Sequence, residues 1–184
     1  EGSLFPDTYF YTRGMSRQNI LDRATQKFET VLTELWANRE ENLPIKSPRE
    51  AIILASIIEL ETAKPSERAI VASVFINRLN SKMPLQSDPT VIYGLEKKGV
   101  VPRRLLKKHL KIKHEWNTYK FRGLPKTPIS NPGYASIQSV LNPAKTEYLY
   151  FVADGSGGHR FAKTLDEHNK NVRQYRKTIE SKKK

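Results

Sequence analysis

A carboxylate stands at the end of an otherwise uncharged segment, and this placement is the clearest chemical feature of the sequence. Residues 51–58 carry no charge, and Glu59 follows them directly. A helix that is apolar on all sides lies in the core, so Glu59 is expected to face a low dielectric that favours the neutral acid. An acid that stays protonated near neutral pH can act as a general acid on a glycosidic bond. The alternative is that Glu59 only marks where the helix reaches water.

A second acid follows two positions later, but the helical spacing separates the two side chains. Residues two apart on a helix point to different faces, so Glu61 is not expected to form a carboxylate pair with Glu59. We expect Glu61 to face solvent or to pair with a basic neighbour such as Arg68. A two-carboxylate site would therefore need an acid from elsewhere in the chain.

Three further groups of polar residues lie in irregular segments, where functional sites are often built. Asp88 precedes a proline and is most simply a helix N-cap, whereas Gln86 has no such local task and its amide could bind a sugar or a phosphate. The segment 116–119 is a cluster of aromatic and polar residues that also reads as a turn followed by a strand. His159 follows a glycine-rich turn and is most simply structural.

Several classes of site are excluded by composition and motif. The chain has no cysteine, which excludes disulfides, thiolate metal sites and cysteine nucleophiles. Its four histidines lack paired spacing, so no metal site and no cofactor are expected. The turn at 155–158 lacks the lysine of a phosphate loop, and no serine-hydrolase elbow occurs. The net charge of +13 suggests an acidic partner, although no nucleic-acid-binding signature accompanies it.

The pattern of elements predicts an α+β fold that is mainly helical. Ser47, Pro48 and Glu50 mark the start of the apolar helix, and Thr164 with Glu167 forms a second capping box that opens a terminal helix. Helical spacing predicts further helices over about 16–38, 65–80, 88–93 and 135–141. Residues 148–153 and 159–162 read as two strands joined by the glycine-rich turn.

The length fits one domain over residues 1–184. Its abrupt start suggests a piece of a longer protein, with any membrane anchor or export signal upstream. Residues 97–114 contain eight Lys or Arg and no acid. We call this segment the basic excursion and expect it to lie on the surface.

Nine sequence blocks in register resemble the YceG-like family of endolytic murein transglycosylases. The blocks lie at 4–9, 55–61, 71–79, 85–94, 117–119, 123–125, 128–133, 142–146 and 148–155. Any one block is weak, but nine in order over almost the whole chain are specific.

The resemblance implies a lysozyme-like catalytic domain with lytic transglycosylase (lyase) activity. Such enzymes cleave the β-1,4 bond between N-acetylmuramic acid and N-acetylglucosamine and leave a 1,6-anhydro-muramoyl end. The resemblance places the catalytic acid at Glu59, as donor to the leaving oxygen and then as base toward the muramoyl C6 hydroxyl. The expected substrate-binding residues are Gln86, Ser87, Asp88, Tyr93, Trp116, Asn117, Tyr119 and Asn131. Trp116 departs from the family pattern, which commonly has a tyrosine there.

The resemblance also implies partners and a location. The partners would be nascent peptidoglycan strands and peptidoglycan synthases, without nucleic acid. The full protein would be a single-pass inner-membrane protein, anchored outside this chain, with the catalytic domain facing the periplasm.

Two alternatives remain open from the residues. The first is a hydrolytic muramidase, which needs a second carboxylate; Asp88 and Asp7 are the candidates. The second is a non-catalytic cationic module that binds cell wall or nucleic acid through the basic excursion. For the enzyme, Gln86 and Asn117 are predicted to line the same groove as Glu59.

Overall fold

The computed structural model describes residues 1–182 and confirms the mainly helical α+β prediction. Residues 183 and 184 of the predicted domain lie outside the described part. The helices are α1 (Arg17–Ala37), α2 (Pro48–Glu61), α3 (Arg68–Asn80), α4 (Asp88–Glu96), α5 (Tyr134–Leu141) and α6 (Leu165–Ser181). The strands are β1 (Tyr150–Ala153) and β2 (His159–Ala162), and short 3-10 turns span Pro65–Glu67 and His109–Lys111.

Helix α2 is the central element of the core. The hydroxyl of Ser47 accepts a hydrogen bond from the Glu50 N–H at 3.2 Å, which confirms the predicted N-cap. Every residue from Ala51 to Ile58 is buried. Burial of a large aliphatic side chain contributes about 1.5–3 kcal/mol, so this helix contributes much of the stability of the domain. Its end at Glu61 places two acids in the last turn.

A buried serine on α2 holds the segment before α5 against this helix through hydrogen bonds. The Ser56 hydroxyl donates to the Ile53 carbonyl and accepts from the Ile129 N–H at 2.9 Å. The Ser130 hydroxyl donates to the Ser56 carbonyl at 3.0 Å. Because these bonds fix the chain just before α5, the start of α5 lies beside the last turns of α2.

The two strands form an antiparallel hairpin in the predicted place, with Tyr150 opposite Ala162. The carboxylate of Asp154 accepts from the Ser156 and Gly158 N–H groups and closes the turn. Phe151 packs edge-on against a core phenylalanine of α3 at 5.8 Å between ring centroids. The hairpin is thereby attached to the helical core.

The boundary of α4 differs from the prediction. The N-cap position is Ser87, and Asp88 is the first helical residue with no capping bond of its own. The helix also continues through Gly94 to Glu96. Gly94 packs closely against His114, where a larger residue would not fit, so this glycine serves packing within the helix and does not end it. Prediction of an N-cap at Asp88 was therefore wrong by one residue.

Within residues 1–182, no helix is both long enough and apolar enough to cross a bilayer.

Candidate functional site

The last residue of α2, Glu61, is the acid that faces a polar cluster. The Ser87 hydroxyl donates to Glu61 Oε1 at 2.6 Å. Burial raises the pKa of Glu61 to about 7 despite the opposing Ser87 bond; the nearby Asp88 charge raises the pKa further and the Arg78 charge lowers it. The prediction that Glu61 faces solvent or pairs with Arg68 is therefore wrong. The helical face that carries Glu61 is covered by the segment before α4.

An arginine of α3 holds the start of the segment 85–88 through hydrogen bonds. Arg78 is a buried residue, only 7% exposed, and its guanidinium donates to the Leu85 carbonyl at 2.7 Å and to the Leu149 carbonyl at 2.7 Å. It also makes a longer contact of 3.4 Å to Gln86 Oε1. Arg78 thus connects residues 85 and 86 to the chain just before β1 through hydrogen bonds. Its positive charge also acts on Glu61.

Thr118 holds the same segment through two further hydrogen bonds. The Gln86 N–H donates to the Thr118 carbonyl at 3.1 Å, and the Ser87 N–H donates to the Thr118 hydroxyl at 3.0 Å. Gln86 adopts a left-handed backbone conformation with φ of 54°, which is uncommon for a residue with a side chain. The hydrogen bonds around Gln86 therefore hold its backbone in this uncommon conformation, which directs the side chain to the surface. Such conformations are common at functional sites.

Asp88 and Tyr119 form the rim of the cluster. The Tyr119 hydroxyl donates to Asp88 Oδ1 at 2.6 Å. Burial raises the pKa of the Tyr119 hydroxyl, and the hydrogen bond to Asp88 raises it further. The phenol therefore remains a hydrogen-bond donor at physiological pH. We call Glu61, Arg78, Gln86, Ser87, Asp88 and Tyr119 the acid cluster.

Glu59 faces a different element. Its Oε2 accepts from the Gly133 N–H at 3.0 Å and from the Ser136 hydroxyl at 2.7 Å. Gly133 is the N-cap position of α5 and makes no side-chain cap, so Glu59 supplies the acceptor that this helix start needs. A carboxylate at a helix N-terminus also interacts favourably with the helix dipole. This geometry gives Glu59 a local structural task.

The remaining predicted substrate-binding residues fall into two other places. Tyr93 and Trp116 pack edge-on at 5.4 Å between ring centroids and line a separate cavity of about 590 Å³. Asn117 is fully buried, and its amide donates to the Leu110 and Ile112 carbonyls. The structure thus turns Asn117 into the protein and does not bring it into a groove with Glu59.

Asn131 and Asp7 also have local partners. Asn131 Oδ1 accepts from three consecutive N–H groups, the nearest being Gly2 at 2.7 Å, and so holds the first residues of the chain. Asp7 forms an ion pair with Lys27 at the surface. Of the two second carboxylates considered for hydrolysis, only Asp88 lies in the acid cluster.

Within residues 1–182, no three His, Asp or Glu side chains are grouped to hold an ion.

Sequence reasoning missed Glu61 and Arg78 as members of the site. A signal for Arg78 was present: it is a cation in a helix whose neighbours from Val71 to Ile76 are all buried. A charge in such a helix needs a partner or a task. Glu61 could not be identified from the sequence, because the sequence does not show which segment packs on each face of α2.

Comparison with known proteins assigns the chain to a family. The model of the YceG-like family matches residues 1–174. An endolytic murein transglycosylase of Bacillus subtilis (strain 168) is 40% identical over 176 residues, which cover 95% of this chain and 48% of that protein. An endolytic murein transglycosylase of Streptococcus pneumoniae serotype 2 is 32% identical over 179 residues, covering 95% of this chain and 32% of that protein.

A solved structure shows the same fold. The crystal structure of a yceG-like protein from Listeria monocytogenes superposes with a TM-score of 0.78 at 37% identity, over 92% of this chain and 54% of that one. The chain spans about half the length of that protein and of the Bacillus subtilis relative, and less of the pneumococcal one. With matched blocks, fold and relatives in agreement, the chain belongs to the YceG-like family.

Proposed function

We propose that this domain is a lytic transglycosylase that cleaves the glycan of peptidoglycan, with Glu61 as its acid and base. The observation that carries the proposal is the position of Glu61 in a partly buried polar cluster, with a pKa of about 7. The curated relatives named as endolytic murein transglycosylases support the class of reaction.

A carboxyl group with a pKa near the working pH can both donate and accept a proton within one turnover. With Oε1 held by the Ser87 hydroxyl, Oε2 is the oxygen that would deliver the proton to the leaving glycosidic oxygen. The resulting carboxylate would then take the proton from the muramoyl C6 hydroxyl as that oxygen attacks C1. The products are a free 4-hydroxyl on N-acetylglucosamine and a 1,6-anhydro-muramoyl end, and no water is consumed.

The geometry of Asp88 favours transglycosylation over hydrolysis. Hydrolysis needs a second carboxylate that positions water or attacks the sugar. Asp88 is near enough to raise the pKa of Glu61, but its Oδ1 is engaged by the Tyr119 hydroxyl. Intramolecular attack also has an entropic advantage over recruitment of water.

The proposal replaces Glu59 by Glu61 as the acid. Glu59 accepts two hydrogen bonds at the start of α5, whereas Glu61 shares its cluster with Gln86, Ser87 and Asp88, three of the residues expected to bind substrate.

The test is the chemistry of the products. Digestion of purified peptidoglycan should release muropeptides that are lighter by one water than hydrolysed ones, and digestion in heavy-oxygen water should leave their muramoyl ends unlabelled. Incorporation of the label at the muramoyl C1 would show a hydrolase and would make Asp88 the candidate for the second acid. Absence of any cleavage would favour a non-catalytic cell-wall module.

The cellular part of the proposal follows the family resemblance. The bond cleaved would be the N-acetylmuramic acid–N-acetylglucosamine linkage of nascent strands, close to peptidoglycan synthases. The full protein would be held in the inner membrane by a segment outside this chain, with this domain in the periplasm. Fractionation of the tagged full-length protein and crosslinking to synthases test these points separately from the enzymatic assay.

A further inference from the structure

The basic excursion, residues 97–114, combines cationic side chains with exposed aliphatic ones. It carries eight Lys or Arg and no Asp or Glu. Within residues 1–182, ion pairs involve only Lys97 of these cations, which pairs with Glu1 at 3.5 Å. The charge of the other cations therefore remains available for an external anionic partner.

The same excursion also exposes aliphatic side chains. Val101 is 78% exposed, Val100 48%, Leu106 45% and Ile112 37%. Single exposed aliphatic residues are normal on a protein surface. Four of them on one cationic segment have the composition of a surface that enters the boundary between lipid head groups and acyl chains.

The excursion is fastened at its base. The buried Asn117 amide donates to the Ile112 carbonyl at 2.6 Å and to the Leu110 carbonyl at 3.2 Å. At the same end, His114 packs so closely on Gly94 that a Cβ there would lie 2.2 Å from the ring. The exposed side chains are thus presented by an anchored segment, which lowers the ordering cost of binding.

We propose that the basic excursion docks on the surface of an anionic lipid bilayer. Val100 and Val101 would enter the head-group region, while the flanking Lys and Arg side chains contact lipid phosphates. A nucleic acid fits the segment less well, because residues 97–114 contain no Phe, Trp or Tyr, and single-stranded nucleic acids are held by stacking on aromatic side chains. The proposal does not depend on the proposed enzymatic activity.

Docking would also fix the height of the acid cluster above the bilayer. Asn117 is followed directly by Thr118, whose hydroxyl and carbonyl hold Ser87 and Gln86. A short, hydrogen-bonded path therefore connects the docking surface to Glu61.

The absence of cysteine allows a direct test of insertion. Val101→Cys, labelled with an environment-sensitive fluorophore, is mixed with vesicles of phosphatidylcholine and anionic phosphatidylglycerol, or of phosphatidylcholine alone. We expect a blue shift with the anionic vesicles only, reversed at high salt because surface charge is screened. The matched control is Leu165→Cys, at another exposed aliphatic residue (54% exposed) on α6, which should not shift. No shift at position 101 on vesicles that bind the protein would overturn the proposal.

Paired variants separate the two contributions to binding. Arg103→Gln/Arg104→Gln should weaken sedimentation with anionic vesicles by about tenfold or more, since each cation near the surface contributes about fivefold. The control Arg173→Gln/Arg176→Gln removes the same charge from exposed positions on α6 and should have a much smaller effect. Val100→Ser/Val101→Ser keeps the charge and should still weaken binding several-fold.

A second probe decides between lipid and a general polyanion surface. If the valine variant bound anionic vesicles as tightly as the unmodified chain, while single-stranded DNA bound through the same arginines, the excursion would be a general polyanion surface and the proposal would be wrong. Thermal melting of each variant should match that of the unmodified chain, because all the substituted side chains are exposed or at the surface.

Discussion

Two carboxylates in the last turn of one helix have opposite surroundings in this domain. Glu59 meets the start of α5 and accepts from a backbone N–H and a serine hydroxyl. Glu61, about 200° further around the helix, meets the segment before α4 and accepts from the Ser87 hydroxyl. Glu59 thus caps the start of a helix, whereas Glu61, with a pKa near 7, lies among the polar side chains of the acid cluster. The difference shows that the last turn of a buried helix can place two carboxylates in different surroundings, on nearly opposite faces.

The comparison is tested most strongly by removing each acid in turn. Glu61→Gln should lower the rate of glycan cleavage by about 10²–10⁴-fold, because the amide cannot transfer a proton. Glu59→Gln is the matched control and should retain activity within a few-fold, because its amide oxygen can still accept from Gly133. Release of muropeptides from purified peptidoglycan measures both. Inactivity of the Glu59 variant together with activity of the Glu61 variant would reverse the assignment.

The same Glu61→Gln change should alter how stability depends on pH. Because the folded-state pKa of Glu61 is raised from 4.5 to about 7, the folded state holds a proton that the unfolded chain loses between these values, and stability falls as pH rises through this range. The full cost would reach up to about 3 kcal/mol above pH 7, less in so far as water screens the group. Urea unfolding at pH 5 and pH 8 should therefore show the variant gaining stability over the unmodified chain at pH 8. An equal difference at both pH values would contradict the burial of an acid here.

Removing the Glu59 side chain should affect stability rather than chemistry. Glu59→Ala leaves the start of α5 without its acceptor, and loss of a helix cap costs about 0.5–2 kcal/mol. Urea unfolding measures this loss, while cleavage per folded molecule should change little. A fall in activity of Glu59→Ala that exceeds its loss of folded protein would give Glu59 a chemical role.

Ser87 and Ser136 offer the finest comparison, since each donates to one of the two acids. The Ser87 bond lowers the pKa of Glu61, so Ser87→Ala should raise that pKa and move the basic limb of the pH–rate profile upward. Ser136→Ala removes the corresponding donor to Glu59 and should leave the profile in place. Equal displacement of both profiles would show that the two acids act as one unit.

Much of the local structure could be read from short stretches of sequence. The capping residues Ser47 and Thr164 lie where their motifs predict, because the bonds they make reach only three residues along the chain. The hairpin 150–162 formed as expected, since its turn is closed by the side chain of Asp154. These elements depend on neighbours in the sequence, which a pattern can show.

The candidate site was less predictable, because its contacts join distant parts of the chain. Asn117 was expected in the groove, yet its amide satisfies two carbonyls at the base of the basic excursion. Asp88 was expected to cap α4, yet it accepts from Tyr119, 31 residues away. A polar residue in an irregular segment has several possible partners, and only the packing of the chain selects one.

The sequence by itself determined that a buried apolar helix, α2, ends in two acids, that the domain is mainly helical and that it carries a strongly basic surface segment. Periodicity and composition suffice for these conclusions because they follow from burial and local hydrogen bonding. Only the tertiary structure decided which acid meets which neighbour. Ser56 fastens the chain before α5 against one face of α2, and Arg78 with Thr118 holds the segment 85–88 against the other. Because a rotation of about 200° separates Glu59 from Glu61, those two attachments decide which carboxylate caps a helix and which one joins the acid cluster.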